Sequence, residues 1–377
     1  LPYGVKPSLT VAVYMQTVSG ACIGATLGGA PTAAPRPRLT TLPPSTPTSA
    51  SRRLPADDTK EQPPLVIGVP APATNPLKGE KSMDMTDLTG SVVALVTPFK
   101  KDGSVDFERL EGLVDFHLAN GTDGILVLGT TGESATMTDT EDLAVAECVV
   151  QRVAGRVPVI GGSGSNCTGE SLRKSLELQK LGVDGLLVIS PYYNKSNEEG
   201  IYHHLADVMD AVNVPCIPYN IPGRTGCSIS PANVERLSRH PNAWGIKEAS
   251  GNISYAADIA HCLSDDFHMM SGNDDMVVPL LSLGGDGYIS VIANIMPEES
   301  VEMTKSWFAG DIKRAAELQL TMKPIIDSMF ADVNPIPVKA ALVKMGMCKP
   351  YFRLPLCMPS AEVDARIERD MKAMGLI

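Results

Sequence analysis

Lys247 is the residue of this 377-residue chain whose setting offers most to a chemist. It follows Trp244-Gly-Ile246, an apolar run that reads as a strand, and so would project into a packed interior. There the ammonium form is disfavoured, the pKa falls, and a nucleophilic amine becomes available near neutral pH. The competing reading is a strand-end lysine that snorkels to water or pairs with Glu248. Tyr219 closes the preceding run, where a phenol could pass protons while a carbinolamine becomes an imine; otherwise it is a packing tyrosine. Thr130 and Thr131 lie in Gly129-Thr-Thr-Gly-Glu-Ser134. Such a turn could cradle a carboxylate and relay a proton, or be plain polar filler. Arg224, in the stretch that follows Tyr219, could hold a substrate carboxylate bidentately, unless it is one more solvated arginine.

What must position these groups is a series of short β-branched runs alternating with amphipathic stretches. The runs are Ser91–Thr97, Gly124–Leu128, Val157–Gly161, Gly185–Ser190, Val214–Tyr219, Ala243–Glu248, His268–Ser271 and Gly287–Val291. Most are continuously apolar, as parallel strands buried on both faces are. Between them Phe107–Ala119, Thr140–Val153 and Gly169–Leu181 read as helices, the first with Leu110, Val114 and His117 or Leu118 at helical spacing. Eight such units predict an α/β fold of the (β/α)8 TIM barrel type over residues 86–310. A C-terminal helical section, residues 311–377, follows; helices are expected at Glu299–Ala309, Ile312–Met329, Pro337–Met345 and Ala361–Met374. In such barrels the active site lies at the C-terminal ends of the strands. The turn after strand two, Pro191-Tyr-Tyr193 after strand four, Tyr219 on strand five and Lys247 on strand six then converge on one rim.

Residues 1–85 differ from the rest. They hold 14 of the 30 prolines, only two aromatics, Tyr3 and Tyr14, and no acidic residue before Asp57. Too little apolar surface is present to offset ordering entropy, so a disordered leader is expected. Its acid-poor, Ser/Thr-rich composition fits an organellar transit peptide. Equally, it fits a translated upstream region, with the natural start at Met83 or Met85 after Lys78-Gly-Glu-Lys-Ser. The expected location is the cytoplasm, or a plastid if the leader is a transit peptide. A net charge of −11 argues against nucleic acid, and no apolar run is long enough to span a bilayer. The eight cysteines form no C-x-x-C pair and read as reduced core thiols. Among the six histidines no metal-ligand pattern stands out, and His203-His204 reads as helix surface.

At these residues the chain resembles the dihydrodipicolinate synthase (4-hydroxy-tetrahydrodipicolinate synthase) family, within the pyruvate-dependent class I aldolase superfamily that includes N-acetylneuraminate lyase. The likeness covers about residues 86–377. It rests on Val96-Thr-Pro-Phe99, Gly129-Thr-Thr-Gly-Glu-Ser-Ala135, Pro191-Tyr-Tyr-Asn194, Tyr219-Asn-Ile-Pro222 with Arg224-Thr-Gly226, Gly245-Ile-Lys-Glu-Ala249 and Asn334-Pro-Ile-Pro-Val-Lys339. The resemblance implies a homotetramer, a dimer of dimers, that joins pyruvate to L-aspartate 4-semialdehyde with no metal or organic cofactor. It implies that Lys247 forms the imine and that Tyr219 shuttles protons. Thr131 supports Tyr219, Thr130 belongs to the same relay, and Tyr193 reaches across from a neighbouring subunit. Thr131 and the backbone at Ile289 would bind pyruvate, Gly272 would line the pocket, and Arg224 would grip the semialdehyde carboxylate. The Thr-Thr pair with Arg224 favours the synthase over the sialic acid lyases.

The family can also carry an allosteric lysine site at a subunit interface. Ser134, Ala135, Asn166, Glu170 and Tyr192 match its positions, but Asp139 and Asp142 stand where histidines are common. The rival readings are a lyase acting on a sugar-derived keto acid, a catalytically dead barrel used for binding, and a metal-dependent aldolase.

Overall fold

Strand β1 (Gly90–Ala94) is the first of eight that pair in chain order, each parallel to the next. The others are β2 (Gly124–Val127), β3 (Val159–Gly162), β4 (Gly185–Ile189), β5 (Cys216–Asn220), β6 (Gly245–Glu248), β7 (His268–Ser271) and β8 (Gly287–Ser290). The computed structural model describes Met85 and residues 88–377; the expected leader falls outside that range, Met85 apart. Closure comes from β8 pairing with β1, Gly90 opposite Gly287. Two glycines meet there for a steric reason. A Cβ on Gly287, whose φ is +150°, would lie 2.0 Å from the Gly90 carbonyl oxygen. Any side chain at that seam would hold the barrel open.

β7 (His268–Ser271) is as expected; where other strand ends differ from the sequence expectation they do so by one to three residues, and the causes are local. β1 stops at Ala94 rather than Thr97 because Asn294 takes over its backbone groups. The Asn294 amide donates to the Ala94 carbonyl and accepts from Val96 N–H, at 2.8 and 3.2 Å. β3 and β5 begin only at Val159 and Cys216, after Pro158 and Pro215, which have no N–H to give a ladder. Helices are placed more closely. Phe107–Ala119 is as expected, while Asp139–Val153 and Thr168–Leu181 each begin one residue early. The second starts there because Thr138 and Glu141 form a capping box.

Alternation along the strands sorts side chains into two cores. Val92, Leu126, Ile160, Leu187, Ile217 and Ile289 fill the barrel interior. Met85 and Trp244 belong to the same cluster, joined by a hydrogen bond from Trp244 Nε1 to the Met85 carbonyl, 2.7 Å. Val93, Ile125, Val127, Val159 and Ile246 point outward, against the helices. His117 is buried in the Phe107–Ala119 helix, and desolvation holds its imidazole down at about 3, so it packs as a neutral ring.

One reading is corrected here. Of the His203-His204 pair, only His203 lies on the helix surface. His204 is buried, its Nδ1 3.0 Å from Thr168 Oγ1 and its Nε2 3.3 Å from the Ile189 carbonyl. The helix Glu198–Ala211 turns that face onto β4, which periodicity around two adjacent histidines does not reveal.

After β8 come helices Pro297–Phe308, Ile312–Met329, Ile336–Lys344 and Ala361–Ala373, within two residues of expectation. No helix among the described residues is long and apolar enough to cross a membrane.

Candidate active site

Lys247 sits on β6 between outward-facing Ile246 and Glu248, and is only 5% exposed. Neither alternative reading survives. The amine is withdrawn from water, and it makes no ion pair among the described residues. Glu248 spends its carboxylate elsewhere, accepting from Asn220 Nδ2 at 2.7 Å and from Ser250 N–H at 2.6 Å. Burial is the largest influence on Lys247; Asp274 raises its pKa, Arg224 lowers it, and the outcome is about 7. Neutral amine is therefore abundant at physiological pH.

Tyr219 is its register partner on β5, and Lys247 Nζ lies 4.4 Å from the centroid of the phenol ring. Burial pushes that phenol well above its ordinary range, so it is a neutral donor and acceptor. Thr131, 3% exposed, accepts at Oγ1 from Asn334 Nδ2 at 3.0 Å. Gly272, after β7, leaves room for the lysine. A Cβ there would lie 2.6 Å from Ala249 Cβ and 3.0 Å from Lys247 Cε. Ile289 is buried in the barrel interior, opposite Val92 on β1.

Thr130, Tyr219 and Arg224 line a cavity of about 400 Å³. Thr131, Lys247, Gly272 and Ile289 are not in its wall. Arg224 lies on the short helix Pro222–Thr225, and its guanidinium donates to the Asn334 carbonyl at 3.0 Å. Tyr193 is not brought to the cavity of its own chain. It is 90% exposed, with φ +68°, a backbone conformation unusual for a tyrosine.

Ser134, Ala135, Glu170 and Tyr192 line the same cavity together with Asp139 and Asp142. Asn166 is not part of the wall; its carbonyl accepts from Asn194 Nδ2 at 2.9 Å. The acidic residues are already matched by the chain's own cations. Lys174 Nζ reaches Asp142 at 2.5 Å and Ser134 Oγ at 2.8 Å, while Arg173 bridges Asp139 and Glu170.

Asp274 escaped sequence reasoning. It follows β7 by three residues, is 1% exposed, and accepts from Ile292 N–H at 2.9 Å and from Val291 N–H at 3.1 Å. Burial lifts its carboxyl to about 6, against these hydrogen bonds and the Lys247 charge. An acidic residue just past a barrel strand was the available signal. No group of three or more His, Cys, Asp or Glu able to hold a metal occurs among the described residues.

A family model described as the dihydrodipicolinate synthetase family matches residues 87–374. A 4-hydroxy-tetrahydrodipicolinate synthase of Caldicellulosiruptor saccharolyticus is 52% identical over 267 residues, 71% of this chain and 90% of that protein. A crystal structure of the chloride-inhibited dihydrodipicolinate synthase of Acinetobacter baumannii, complexed with pyruvate, is 38% identical. The match covers 77% of this chain and all of that one, with TM-score 0.75. The dihydrodipicolinate synthase of Cyanidioschyzon merolae, solved with lysine bound, is also 38% identical; coverage is 77% and 99%, and TM-score 0.75.

Proposed function

The chain belongs to the dihydrodipicolinate synthetase family, and from that premise we propose how its residues divide the 4-hydroxy-tetrahydrodipicolinate synthase reaction. That reaction condenses pyruvate, held as a Schiff base, with L-aspartate 4-semialdehyde and leads toward diaminopimelate and lysine. The observation that carries the reading is Lys247: buried, without an ion pair among the described residues, and set against Tyr219.

The neutral Lys247 amine adds to the keto carbon of pyruvate. Tyr219 passes the proton that lets the carbinolamine lose water and become the imine. Loss of a proton from the methyl group gives an enamine, with the iminium nitrogen as electron sink. The enamine carbon forms the new C–C bond with the aldehyde. The semialdehyde's own amine then attacks the imine carbon, closing the ring and freeing Lys247. Thr131 and the Ile289 backbone bind the pyruvate carboxylate, Thr130 belongs to the relay beside Tyr219, and Arg224 holds the semialdehyde carboxylate. Asp274 gives the transient iminium a nearby negative charge.

Reduction with borohydride in the presence of pyruvate, followed by mass spectrometry, tests the assignment. A stable adduct on Lys247 is expected, and none in Lys247→Ala with the fold intact. Adduct on another residue, or none at all, overturns it. Coupled assays with the semialdehyde, N-acetylneuraminate and keto-deoxy sugar acids test the second substrate.

Three further elements complete the proposal. Tyr193 serves the site of a neighbouring copy in a homotetramer, a role that suits its exposure in the single chain. The cavity end that matches a lysine site is occupied by the chain's own Lys174, so free lysine binds it poorly. The protein works in the cytoplasm, where its free thiols stay reduced.

A further inference from the structure

The motif Asn334-Pro-Ile-Pro-Val-Lys339 has no part in the chemistry so far, yet two of its side chains end on the turn that carries Thr131. Asn334 Nδ2 donates to Thr131 Oγ1 at 3.0 Å, and Lys339 Nζ donates to the Glu133 carboxylate. Partners on the turn and on the motif lie 203 and 206 positions apart in the chain. A third contact leaves the same asparagine: its main-chain carbonyl accepts from Arg224 at 3.0 Å. Asn334 thus touches the pyruvate-binding turn with its side chain and the semialdehyde-binding arginine with its backbone.

The direction of donation decides what the side chain does. A hydroxyl has a single proton; an Oγ1 that accepts from an amide keeps that proton for another acceptor. Thr131 is buried, and none of the described residues accepts from it. Asn334 is buried too, and its Oδ1 has no partner among the described residues, so the Thr131 contact is the bond that fixes the amide. We propose that Asn334 is a positioning residue of the pyruvate subsite, holding the Thr131 hydroxyl so that its proton is presented to the keto-acid carboxylate. The proposal rests on the reading that Thr131 binds pyruvate.

The test compares Asn334→Leu, Thr131→Val and the double variant in three measurements. They are the half-saturation of borohydride-trapped pyruvate adduct, the KM for the semialdehyde, and the melting temperature. Each single variant should raise the pyruvate half-saturation about tenfold, the size of one hydrogen bond to a charged group. The double variant should be no worse than Thr131→Val, because Asn334 acts through that hydroxyl. The semialdehyde KM should stay within about twofold, since the carbonyl that holds Arg224 survives side-chain replacement. Asn334→Asp keeps the shape but replaces the donor by an acceptor, and should move the same parameter in the same direction if the leucine variant fails to fold. Asn334 variants that melt lower yet bind pyruvate like the parent overturn the proposal, as does a double variant whose losses multiply. If Thr131→Val is itself silent, the Thr131 assignment falls and takes this one with it. If only the Asn334 variants are silent, Thr131 stands and Asn334 alone is wrong.

Discussion

Lys247 titrates where most lysines stay fully charged. An ordinary lysine with a pKa near ~10.4 offers roughly one neutral amine in 2,500 at pH 7. At about 7, Lys247 offers about one in two. The rate of pyruvate-adduct formation should therefore climb with pH, pass its midpoint near 7 and flatten above. A midpoint in the range of a free lysine would show the amine is not desolvated in solution. Its two charged influences have opposite signs, which gives a sharper check. Asp274→Asn removes a charge that favours the ammonium and should move the midpoint to lower pH. Arg224→Ala removes one that disfavours it and should move the midpoint up, while raising the semialdehyde KM and sparing adduct formation above that midpoint. Both variants moving the same way would refute this electrostatic picture. Lys247 and Tyr219 were legible because each closes an apolar run, so strand periodicity alone sets them side by side. Asp274 was not, because its setting depends on backbone N–H groups just past β8, 17 and 18 positions further on.

At the scale of elements, the (β/α)8 order was legible and the ends of its strands less so, because caps and side-chain substitutes for ladder bonds decide where a strand stops. Asn294, almost 200 residues after β1, is the plainest case. The C-terminal helices read correctly as helices, but nothing in their periodicity shows that they brace the turn that carries Thr131. Lys339, fully buried, pairs with the equally buried Glu133, with the Phe99 and Phe352 ring centroids 4.5 and 4.7 Å from its amine. Burial pushes the lysine pKa down and the glutamate pKa up, so each charge depends on the other. Removing one partner strands a charge in the interior, at a cost of about 3–5 kcal/mol; removing both need not. Lys339→Met should lower the unfolding free energy by about that amount in urea titration, and Glu133→Gln/Lys339→Met should recover more than half of it. Additive losses would mean that the pair is two independent packing contacts.

At the scale of the whole molecule, two surfaces depend on what approaches them. The first is the acidic end of the cavity. A free lysine brings an ammonium group, and Lys174 already fills that role against Asp142 and Ser134. Titrating L-lysine to millimolar levels should leave the initial rate unchanged, whereas Lys174→Met, which frees the carboxylate, should create sensitivity. Inhibition of the unmodified protein would refute self-occupancy. The second is Tyr193. Its place at the end of the Pro191-Tyr-Tyr193 run was legible from sequence, but a single chain's periodicity cannot say whose site a side chain serves. If it acts in a neighbour, the two halves of a site can be supplied by different subunits. Tyr193→Phe and Lys247→Ala should each be weak or inactive alone. Dissociated and reassembled together at equal amounts, half of the tight pairs are hybrids, and each hybrid holds one complete site of two. Activity should then return to about a quarter of the parent's. A tyrosine acting in its own chain gives no recovery, because in every hybrid each site then lacks either the lysine or the phenol.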